Sequence, residues 1–448
     1  MTASGTRIYT AGALTYTRAG LITLFGWLIW GDFVLTMMEQ VLPNLLPLLL
    51  KSNGATNSEI VIIVSTLAMV MNAALNPIIS YNSDRFRSRW GRRRPFIVVT
   101  TPLVVLFLSA VPFAPEIFRW ISSHGFLAKL LSMGPVPPLI LVFGALVIGF
   151  QTFNMFVASV YYYLIPDVVP AELLGRFFAL FRVFGALAST TFNYFIFGLA
   201  QAHMQIIFVT TAVLYGFFIL LMCWQVKEGT YPPPLKEDHA HWWSGIRNYC
   251  QECFGHSYYW WVFLARSALI WGGIGDVFLV FFYRNDMGLS LVLIGKMAAW
   301  SSMLFVVLAY PYGMLLDRWG CQKAYILGST LVMVSSILMF FFVTKETVIG
   351  WTIFRNISIA LAFLSAAKWN VEIYPRDRYG QFGSAGSLFA SVGGIILGPA
   401  CGWWMDWIKH YRYLLVWSTL FSLLSVVTSI IVYRKWKALG GENDYRAP

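Results

Sequence analysis

The residues best able to do chemistry are charged side chains inside long apolar runs. Asp32 lies eleven residues into the first run, and Glu39 follows seven residues later on nearly the same helical face. A charge at the centre of a bilayer costs roughly 3 kcal/mol or more unless it is paired or hydrated. Arg182, in the fifth run, is the expected partner of Asp32. The pair predicts either a site for substrate or a proton, or a static ion pair that fixes helix packing.

A second set of charges lies in the later runs. At about 1.5 Å per residue, Asp276, Lys296 and Arg355 all lie about 12 Å from the external surface. We therefore expect one network that binds a polar substrate, locks the outer side or is purely structural. Arg266 and Lys368 are close enough to the ends of their runs to reach the interface, so we assign them no chemistry.

Uncharged polar and aromatic residues form a third set. Their spacing places several on one face of the fourth and fifth runs, where they hydrogen-bond either the hydroxyl groups of a solute such as a sugar or the neighbouring helices. Two tryptophans could supply a flat apolar surface for a sugar ring. The candidates are Gln151, Asn154, Tyr161 or Tyr162, Ser189, Thr190, Asn193, Trp30 and Trp271.

The apolar runs predict an all-α membrane protein. Of its 448 residues, 58% are hydrophobic and 12% charged, whereas soluble proteins are about 45–50% apolar. One crossing needs about 20 apolar residues. The twelve predicted spans are 21–43, 58–80, 95–113, 138–162, 177–200, 204–226, 259–284, 289–314, 323–343, 348–370, 381–405 and 412–433.

A hydrophilic stretch divides these spans six and six, because its three consecutive prolines, 232–234, cannot continue a helix. The segments on the predicted inner side, counted with the span-end residue Lys323, carry 20 Lys and Arg. The outer loops, counted with the span-end residues Arg284 and Arg412, carry seven. By the positive-inside rule, both termini are cytoplasmic in an integral plasma (cell inner) membrane protein. The predicted parts are a cytoplasmic N-terminus (1–20), an N-terminal six-helix bundle (21–226), a cytoplasmic central loop (227–258), a C-terminal six-helix bundle (259–433) and a cytoplasmic tail (434–448).

Three motifs repeat at corresponding places in the two halves, which predicts a duplicated six-helix unit and a pseudo-symmetric pair of bundles. The loop after span 8 repeats part of the loop after span 2, the P-x-[DE]-x-x-G-x-F motif recurs at an offset of 205 residues, and spans 1 and 7 share a Leu-Ile-Trp-Gly sequence. The matched residues are Asp84, Arg85 and Gly91 with Asp317, Arg318 and Gly320; Pro170, Glu172, Gly175 and Phe177 with Pro375, Asp377, Gly380 and Phe382; and 28–31 with 269–272.

The loop after span 2 is the most distinctive stretch, with six arginines in residues 81–95, YNSDRFRSRWGRRRP. With twelve spans and the related loop after span 8, the whole chain resembles the major facilitator superfamily. The continuous motif SDRFRSRWGRRRPFI is similar to that of the sucrose and glycoside–cation symporter branch. Gly91 fits a tight turn where a side chain would block close helix approach.

The resemblance implies that these loops form a gate. Asp84 would cap a helix of the other half, and the arginines would link neighbouring helix ends; the alternative is that they only set orientation. The gating candidates are Asp84, Arg85, Arg89, Gly91, Arg92, Arg93, Glu172, Gly175, Arg176, Asp317, Arg318, Gly320, Asp377 and Gly380.

The chain departs from the plant sucrose symporters at one position. Their G-F-x-x-x-D stretch in span 4 carries an acid linked to proton coupling, whereas this chain has Asn154 at that place. If the protein is coupled, another acid must serve, and Asp32 is the first candidate. In span 11, Gly394, Gly398 and Gly402 allow close helix approach, for bending or for packing alone.

The sequence thus favours a secondary transporter that moves a small polar solute, a sugar or glycoside, by alternating access with a coupling proton or cation. The alternatives are a uniporter or exporter of an organic anion or amphipathic compound, and a non-transporting sensor or scaffold. We expect no enzyme activity and no cofactor. We also expect no resident metal, since the 250–253 CQEC motif has no second pair of cysteines at zinc spacing. The net charge of +12 indicates contact with the lipid bilayer rather than nucleic acid. We expect a functional monomer.

Overall fold

The structure, a computed structural model, describes residues 8–124, 136–229, 242–375, 378–441, 445 and 447–448. A short hairpin pairs β1 (Tyr9–Ala11) with β2 (Leu14–Tyr16) in antiparallel register. Gly12 has a φ of +56°, which suits the turn between the strands. The polar N-terminal segment was predicted only as a cytoplasmic terminus, and the hairpin in it was not foreseen.

The first half of the described chain forms long helices joined by short 3₁₀ and π segments. The helices are α1 (Arg18–Glu39), α2 (Val41–Ser52), α3 (Asn57–Val61), α4 (Leu67–Arg85), α5 (Arg94–Ala110), α6 (Ala114–Ser122), α7 (Pro138–Val168), α8 (Leu174–Thr191) and α9 (Ala200–Gln225). The π segments are Ile62–Thr66 and Phe192–Ile196, and the 3₁₀ segments are Val111–Phe113, Ala171–Leu173 and Phe197–Leu199.

The second half repeats this pattern. Its helices are α10 (Trp242–Phe254), α11 (Ser257–Gly272), α12 (Leu279–Phe281), α13 (Leu291–Trp319), α14 (Cys321–Phe342), α15 (Val348–Ile373), α16 (Tyr379–Ile408) and α17 (Leu414–Ala438). Its 3₁₀ segments are Ile274–Phe278 and Tyr411–Tyr413, and its π segment is Phe282–Asp286.

In the part of the chain that the structure describes, 11 continuous helical segments are long and apolar enough to cross a membrane. One of them, Arg176–Gln225, has 50 residues, a length of about 75 Å, more than twice a hydrocarbon core of about 30 Å. It contains two predicted spans, which non-helical backbone at His203 (φ −131°, ψ 33°) separates. The protein is therefore a multi-pass membrane protein, and the predicted all-α fold class is confirmed.

Internal contacts divide the chain into two units. The first unit comprises Met1–Ala55 and Val70–Leu235, and the second comprises Thr56–Met69 and Lys236–Pro448. The start of predicted span 2 thus belongs to the second unit by its contacts, although the sequence analysis assigned it to the N-terminal bundle.

The helix packing within each unit supports the predicted duplication. In the first unit α1 packs against α8 and α9, and α5 packs against α7 and α9. In the second unit α11 packs against α16 and α17, and α14 packs against α15 and α17. These four pairs occupy corresponding positions in the order of the predicted spans, so the two units share one internal arrangement.

Small residues allow the close packing inside both units. A Cβ built at Gly149 would lie 2.4 Å from the ring of Phe107, and one built at Gly328 would lie 2.8 Å from the Cα of Ala362. Real Cβ atoms do not approach so closely, so α7 packs on α5, and α14 on α15, through glycine. Close backbone approach at small residues is typical of membrane helix interfaces.

The predicted central loop is partly helical, because α10 lies within 227–258. Tyr249 hydrogen-bonds Ser384 at 2.9 Å, and Gln381 donates to Glu252 at 2.7 Å. These contacts fix α10 against the start of α16. The i,i+4 spacing of Tyr249 and Cys253, one half-buried and one buried, is the helical signal that the sequence analysis missed.

Candidate functional site

Asp32 is a buried carboxylate on α1 that faces α8. A Cβ built at Gly185 of α8 would lie 3.3 Å from Asp32 Oδ2, so this glycine makes room for the carboxylate. Asp32 Oδ2 has no hydrogen-bond partner among the described residues. Arg182 and Glu39 are near enough to interact electrostatically with Asp32, but no ion pair of the described residues includes it. A buried carboxylate with an unpaired oxygen is suited to taking up a proton or a hydrogen-bond donor.

The other first-unit candidates differ in how available their polar atoms are. Asn154 is buried with its Oδ1 unpartnered within the described chain, and Gln151 is half-buried on the same helix, α7. The Asn193 amide instead donates to Ser189 O of its own helical turn at 2.8 Å. Trp30 is exposed and stacks on Phe33. Of the two buried asparagines, Asn154 is therefore the one with an unpartnered side-chain oxygen among the described residues.

In the second unit, Asp276 lies where a membrane helix is interrupted. α11 ends at Gly272, and Asp276 follows on the 3₁₀ segment Ile274–Phe278. Arg355 of α15 donates from Nη2 to Asp276 Oδ1 at 2.7 Å and to Ser418 Oγ of α17 at 3.2 Å. Two of the three charges in the predicted network, Asp276 and Arg355, are therefore paired, and the pair joins three elements of the unit.

Asp276 and Arg355 border a cavity of about 360 Å³. Volumes of about 300–1,000 Å³ are typical of small-molecule sites. Non-helical backbone within a membrane is tolerated where it lines a cavity, and interrupted helices build many transporter sites. The remaining lining is mainly apolar, from Met69, Leu269, Ile270, Gly273, Ile274, Ile359 and Phe363, with Ser65 and Ser418.

Two predicted members of the second-unit site are placed differently. Lys296 is absent from the described lining of this cavity and from the described contacts of the Asp276–Arg355 pair. Trp271 is buried and donates its indole N–H to Ala390 O at 2.9 Å. A Cβ built at Gly393 would lie 2.0 Å from the Trp271 ring, so this side of the ring packs on α16 rather than facing a ligand.

The charged loop between α4 and α5 is built around Glu228, which follows α9. The Glu228 carboxylate accepts the backbone N–H groups of Arg92, Arg93 and Arg94 at 2.7–3.1 Å. These N–H groups lie at the first residue of α5 and just before it. There N–H groups lack partners within the helix, and the helix dipole favours a negative charge. Glu228 is therefore a charged cap for α5, which the sequence analysis missed.

Gly91 allows Glu228 to approach. Gly91 has a φ of +104°, and a Cβ built there would lie 2.5 Å from Glu228 Cδ. The expected tight turn is present, but the group that it admits is a carboxylate rather than a neighbouring helix.

Asp167, at the end of α7, holds the arginine side chains of the same loop. Arg92 donates to both Asp167 oxygens, at 2.5 and 3.0 Å, and Arg93 Nε donates at 3.2 Å. Arg93 also donates to Ser83 and lies over the ring of Tyr163. The arginines thus link α4, α5 and α7, as the prediction of linked helix ends required. The 205-residue offset that relates the repeats also relates Asp167 to Glu372, and this correspondence could have identified both acids.

The corresponding loop of the second unit is Gly320 alone, between α13 and α14. Lys368 of α15 forms an ion pair with Asp317 at 2.6 Å and lies 3.9 Å from Glu372. Cys321 donates to Glu372 at 2.7 Å. Lys368, to which we assigned no chemistry, therefore ties this loop to α15 together with the Cys321–Glu372 hydrogen bond.

The remaining gating candidates add few described contacts. Arg85 is half-buried on α4, and Arg89 lies over the Trp90 ring at 5.9 Å. Exposed positions are Arg89, Glu172, Arg176, Arg318 and Gly380. Asp377 and the side-chain surroundings of Asp84 and Gly175 lie outside the described part of the chain.

A further cluster on α16 was not foreseen. Asp406 Oδ1 accepts the Asn57 N–H at 2.8 Å, and Oδ2 accepts the Ser58 N–H at 2.9 Å and its hydroxyl at 2.6 Å. Tyr411 donates to Asn57 Oδ1 at 3.1 Å. Asp406 therefore caps the N-terminus of α3 within the second unit, reinforcing the capping box that Thr56 forms there.

The glycine stripe of α16 is the surface on which this segment packs. Cβ atoms built at Gly394, Gly398 and Gly402 would lie 2.1, 2.2 and 2.5 Å from Met69, Thr66 and Ser58 respectively. The predicted close helix approach at these three glycines is confirmed. The partner is the 56–69 segment.

The sequence identifies the family to which the chain belongs. The chain matches the major facilitator superfamily over residues 28–396 and 282–438. The chain therefore belongs to this superfamily of membrane transporters. No curated protein matches the sequence.

Solved structures of low sequence identity share the fold. A bacterial homolog of the human lysosomal transporter Spinster, inward-facing and unoccupied, has a TM-score of 0.68 at 11% identity over 95% of this chain and 98% of that one. A bacterial homologue of the iron transporter ferroportin, inward-facing, has a TM-score of 0.63 at 15% identity, with 92% and 99% covered. A D-xylose–proton symporter has a TM-score of 0.62 at 13% identity, with 92% and 96% covered. At these identities the likeness concerns the fold alone.

Proposed function

We propose that the protein is a secondary active transporter that moves a small polar solute, a sugar or glycoside, by alternating access and couples this movement to protons. One observation carries the proposal. The second unit contains a cavity of about 360 Å³ bordered by the carboxylate of Asp276, at a break in a membrane helix. A carboxylate in an otherwise largely apolar cavity offers strong hydrogen bonds to hydroxyl donors.

Proton coupling is assigned to Asp32. Its carboxylate is buried on α1 with Oδ2 unpartnered among the described residues, and Arg182 and Glu39 act on it electrostatically. Charged groups inside membrane helices commonly form proton relays. Asn154 adds an amide oxygen without a described partner, which can accept a hydrogen bond from the solute.

The proposal also assigns a gating role to the charged loops and an orientation to the chain in the membrane. The loop that Asp167 and Glu228 hold, and the loop that Lys368 holds, control the change between the two access states. The excess of Lys and Arg, 20 against seven in the predicted segments, supports cytoplasmic termini. The protein works in this scheme as a monomer in the plasma (cell inner) membrane.

The test uses the purified full-length chain in proteoliposomes with an imposed pH gradient and radiolabelled sucrose, glucose and a phenyl glucoside. The wild type accumulates at least one of these sugars. Asp32→Asn abolishes gradient-driven accumulation but retains sugar counterflow, because exchange across the membrane needs no net proton movement. The matched control is Glu116→Gln, an exposed acid whose described ion pair is with Arg119, a neighbour on α6.

Two outcomes contradict parts of the proposal. If Asp32→Asn still concentrates sugar, Asp32 is not the coupling acid. If no sugar is transported and an organic anion is moved instead, the substrate assignment is wrong. In that second function, an anion uniporter or exporter, the cations Arg355 and Lys296 would bind the anion.

A further inference from the structure

We propose that Arg355 determines which solute charge the second-unit cavity accepts. By neutralising Asp276 from its buried side, Arg355 makes the cavity a site for neutral solutes that donate hydrogen bonds, and it disfavours organic anions and organic cations alike. The inference rests on the proposed transport function and assigns the charge class of its solute.

The two partners of the ion pair are exposed very unequally. The Asp276 side chain is 31% exposed, whereas that of Arg355 is 1% exposed. The Arg355 Nη2 group donates hydrogen bonds to Asp276 Oδ1 and to Ser418 Oγ. A solute in the cavity therefore meets mainly the Asp276 carboxylate, because little of the Arg355 side chain is accessible.

An anionic solute in the cavity would meet the Asp276 carboxylate, which has the same charge. Arg355 Nε and Nη1 have no hydrogen-bond partner among the described residues, but both atoms are buried. An anion would have to displace Asp276 to reach them, and it would face the Asp276 carboxylate on the way. Like charges brought together in a largely apolar cavity are unfavourable.

A cationic solute meets a carboxylate that is already paired. Arg355 is charged at every physiological pH, so the pair has no net charge and an added ammonium group introduces one. A net charge in a largely apolar cavity is costly. A neutral hydroxyl group adds no charge, and its hydrogen bond to a carboxylate is roughly twice as strong as a bond between neutral groups.

The rest of the lining suits a ring with polar edges and apolar faces. Ile270, Ile359 and Phe363 border the cavity beside Asp276. Aliphatic and aromatic side chains pack against the C–H faces of a pyranose, while its hydroxyl edge meets the carboxylate. The chemical class is therefore a neutral polyol or glycoside.

The test compares solutes that share one ring and differ in charge. Uptake of radiolabelled glucose, glucosamine and glucuronate, with sucrose as a neutral disaccharide, is measured in proteoliposomes of the full-length chain without a pH gradient. We expect the wild type to prefer a neutral sugar over both charged ones by at least about tenfold, because a charged solute adds an uncompensated charge to the cavity. In Arg355→Gln the ratio of glucosamine to neutral-sugar uptake rises by about tenfold or more, since Asp276 is left unneutralised.

A second variant distinguishes a change in solute specificity from misfolding. Breaking a buried pair on one side destabilises more than replacing both partners, so Asp276→Asn/Arg355→Gln is made as well. This neutral pair is expected to raise the Michaelis constant for the neutral sugar and to leave glucosamine disfavoured. Loss of protein structure alone would not produce that contrast between the single and the double variant.

The outcomes separate this inference from the transport function. If the wild type prefers glucuronate or glucosamine, the inference is wrong and sugar transport stands. If Arg355→Gln folds, transports and keeps the wild-type charge preference, Arg355 is not the determinant. If none of the four sugars is moved, the proposed sugar transport is wrong, and the inference is wrong with it.

Discussion

The two charged loops carry the same Asp-Arg sequence followed by glycine, yet they are held in different ways. In the first unit the loop between α4 and α5 is held by two acids from other elements, Asp167 of α7 and Glu228 after α9. In the second unit the loop is Gly320 alone, and this glycine, which precedes α14, has no side chain with which to cap the helix. The repeated motif therefore occupies the same position in both units, but different contacts stabilise it in each.

The surroundings of the two loops explain this difference. A Cβ at Gly91 would collide with Glu228, whereas a Cβ at Gly320 has no atom within 4 Å among the described residues. Next to Gly320, beside Glu372, the described residues border a cavity of about 820 Å³. In the first unit, a carboxylate occupies the place next to the helix start. The first loop is thus tightly packed, and the second is loosely packed.

The largest effect is expected for Gly91→Ala. The left-handed backbone costs a residue with a Cβ about 1–3 kcal/mol, and the displacement of Glu228 removes charge-assisted hydrogen bonds worth about 1.5–3 kcal/mol. The variant should therefore unfold at a clearly lower temperature in detergent, followed by tryptophan fluorescence. Gly320→Ala is the matched control, because its φ of +83° incurs only the backbone cost.

A double-mutant cycle identifies the cause of the Gly91 effect. If Glu228 is the obstacle, Gly91→Ala and Glu228→Ala are not additive, since removal of the carboxylate relieves the collision. Equal losses of stability for Gly91→Ala and Gly320→Ala would contradict the distinction between a tightly and a loosely packed loop.

A smaller effect is expected for Glu228→Gln. The amide keeps the size of the side chain but replaces a charged acceptor of three backbone N–H groups with a neutral one, which we expect to cost about 1–2 kcal/mol. Glu372→Gln is the control in the second unit, where the acid contacts only Cys321 and Lys368 among the described residues. The melting temperature should fall more for Glu228→Gln than for Glu372→Gln, and the reverse order would contradict the assignment of Glu228 as a helix cap.

The sequence predicted those features that depend on local pattern. Long apolar runs predicted the crossings, and the repeated motifs predicted corresponding helix packing in the two units. The depth count placed Asp276 and Arg355 together, because residues at equal depth on neighbouring helices can meet. These arguments need only helix geometry and the thickness of a bilayer.

Features that depend on tertiary contacts were not predictable in this way. Glu228 lies in a hydrophilic stretch, and nothing local distinguishes a helix-capping carboxylate from a solvated one. The capping of α3 by Asp406 joins residues about 350 positions apart. Lys296 has the same predicted depth as Asp276, but depth alone does not give the rotation of Lys296 about the helix axis, which decides whether it reaches Asp276.

The smallest effect is expected for Asp317→Asn. Its ion pair with Lys368 is short, but the Asp317 side chain is 73% exposed, and exposed pairs contribute about 0–1 kcal/mol. The variant should melt slightly below the wild type at low salt and together with it at 1 M salt, where the Debye length is about 3 Å. Lys368→Met removes the other partner and should show the same salt dependence. A loss as large as that of Glu228→Gln, persisting at high salt, would mean that the second loop is held as firmly as the first.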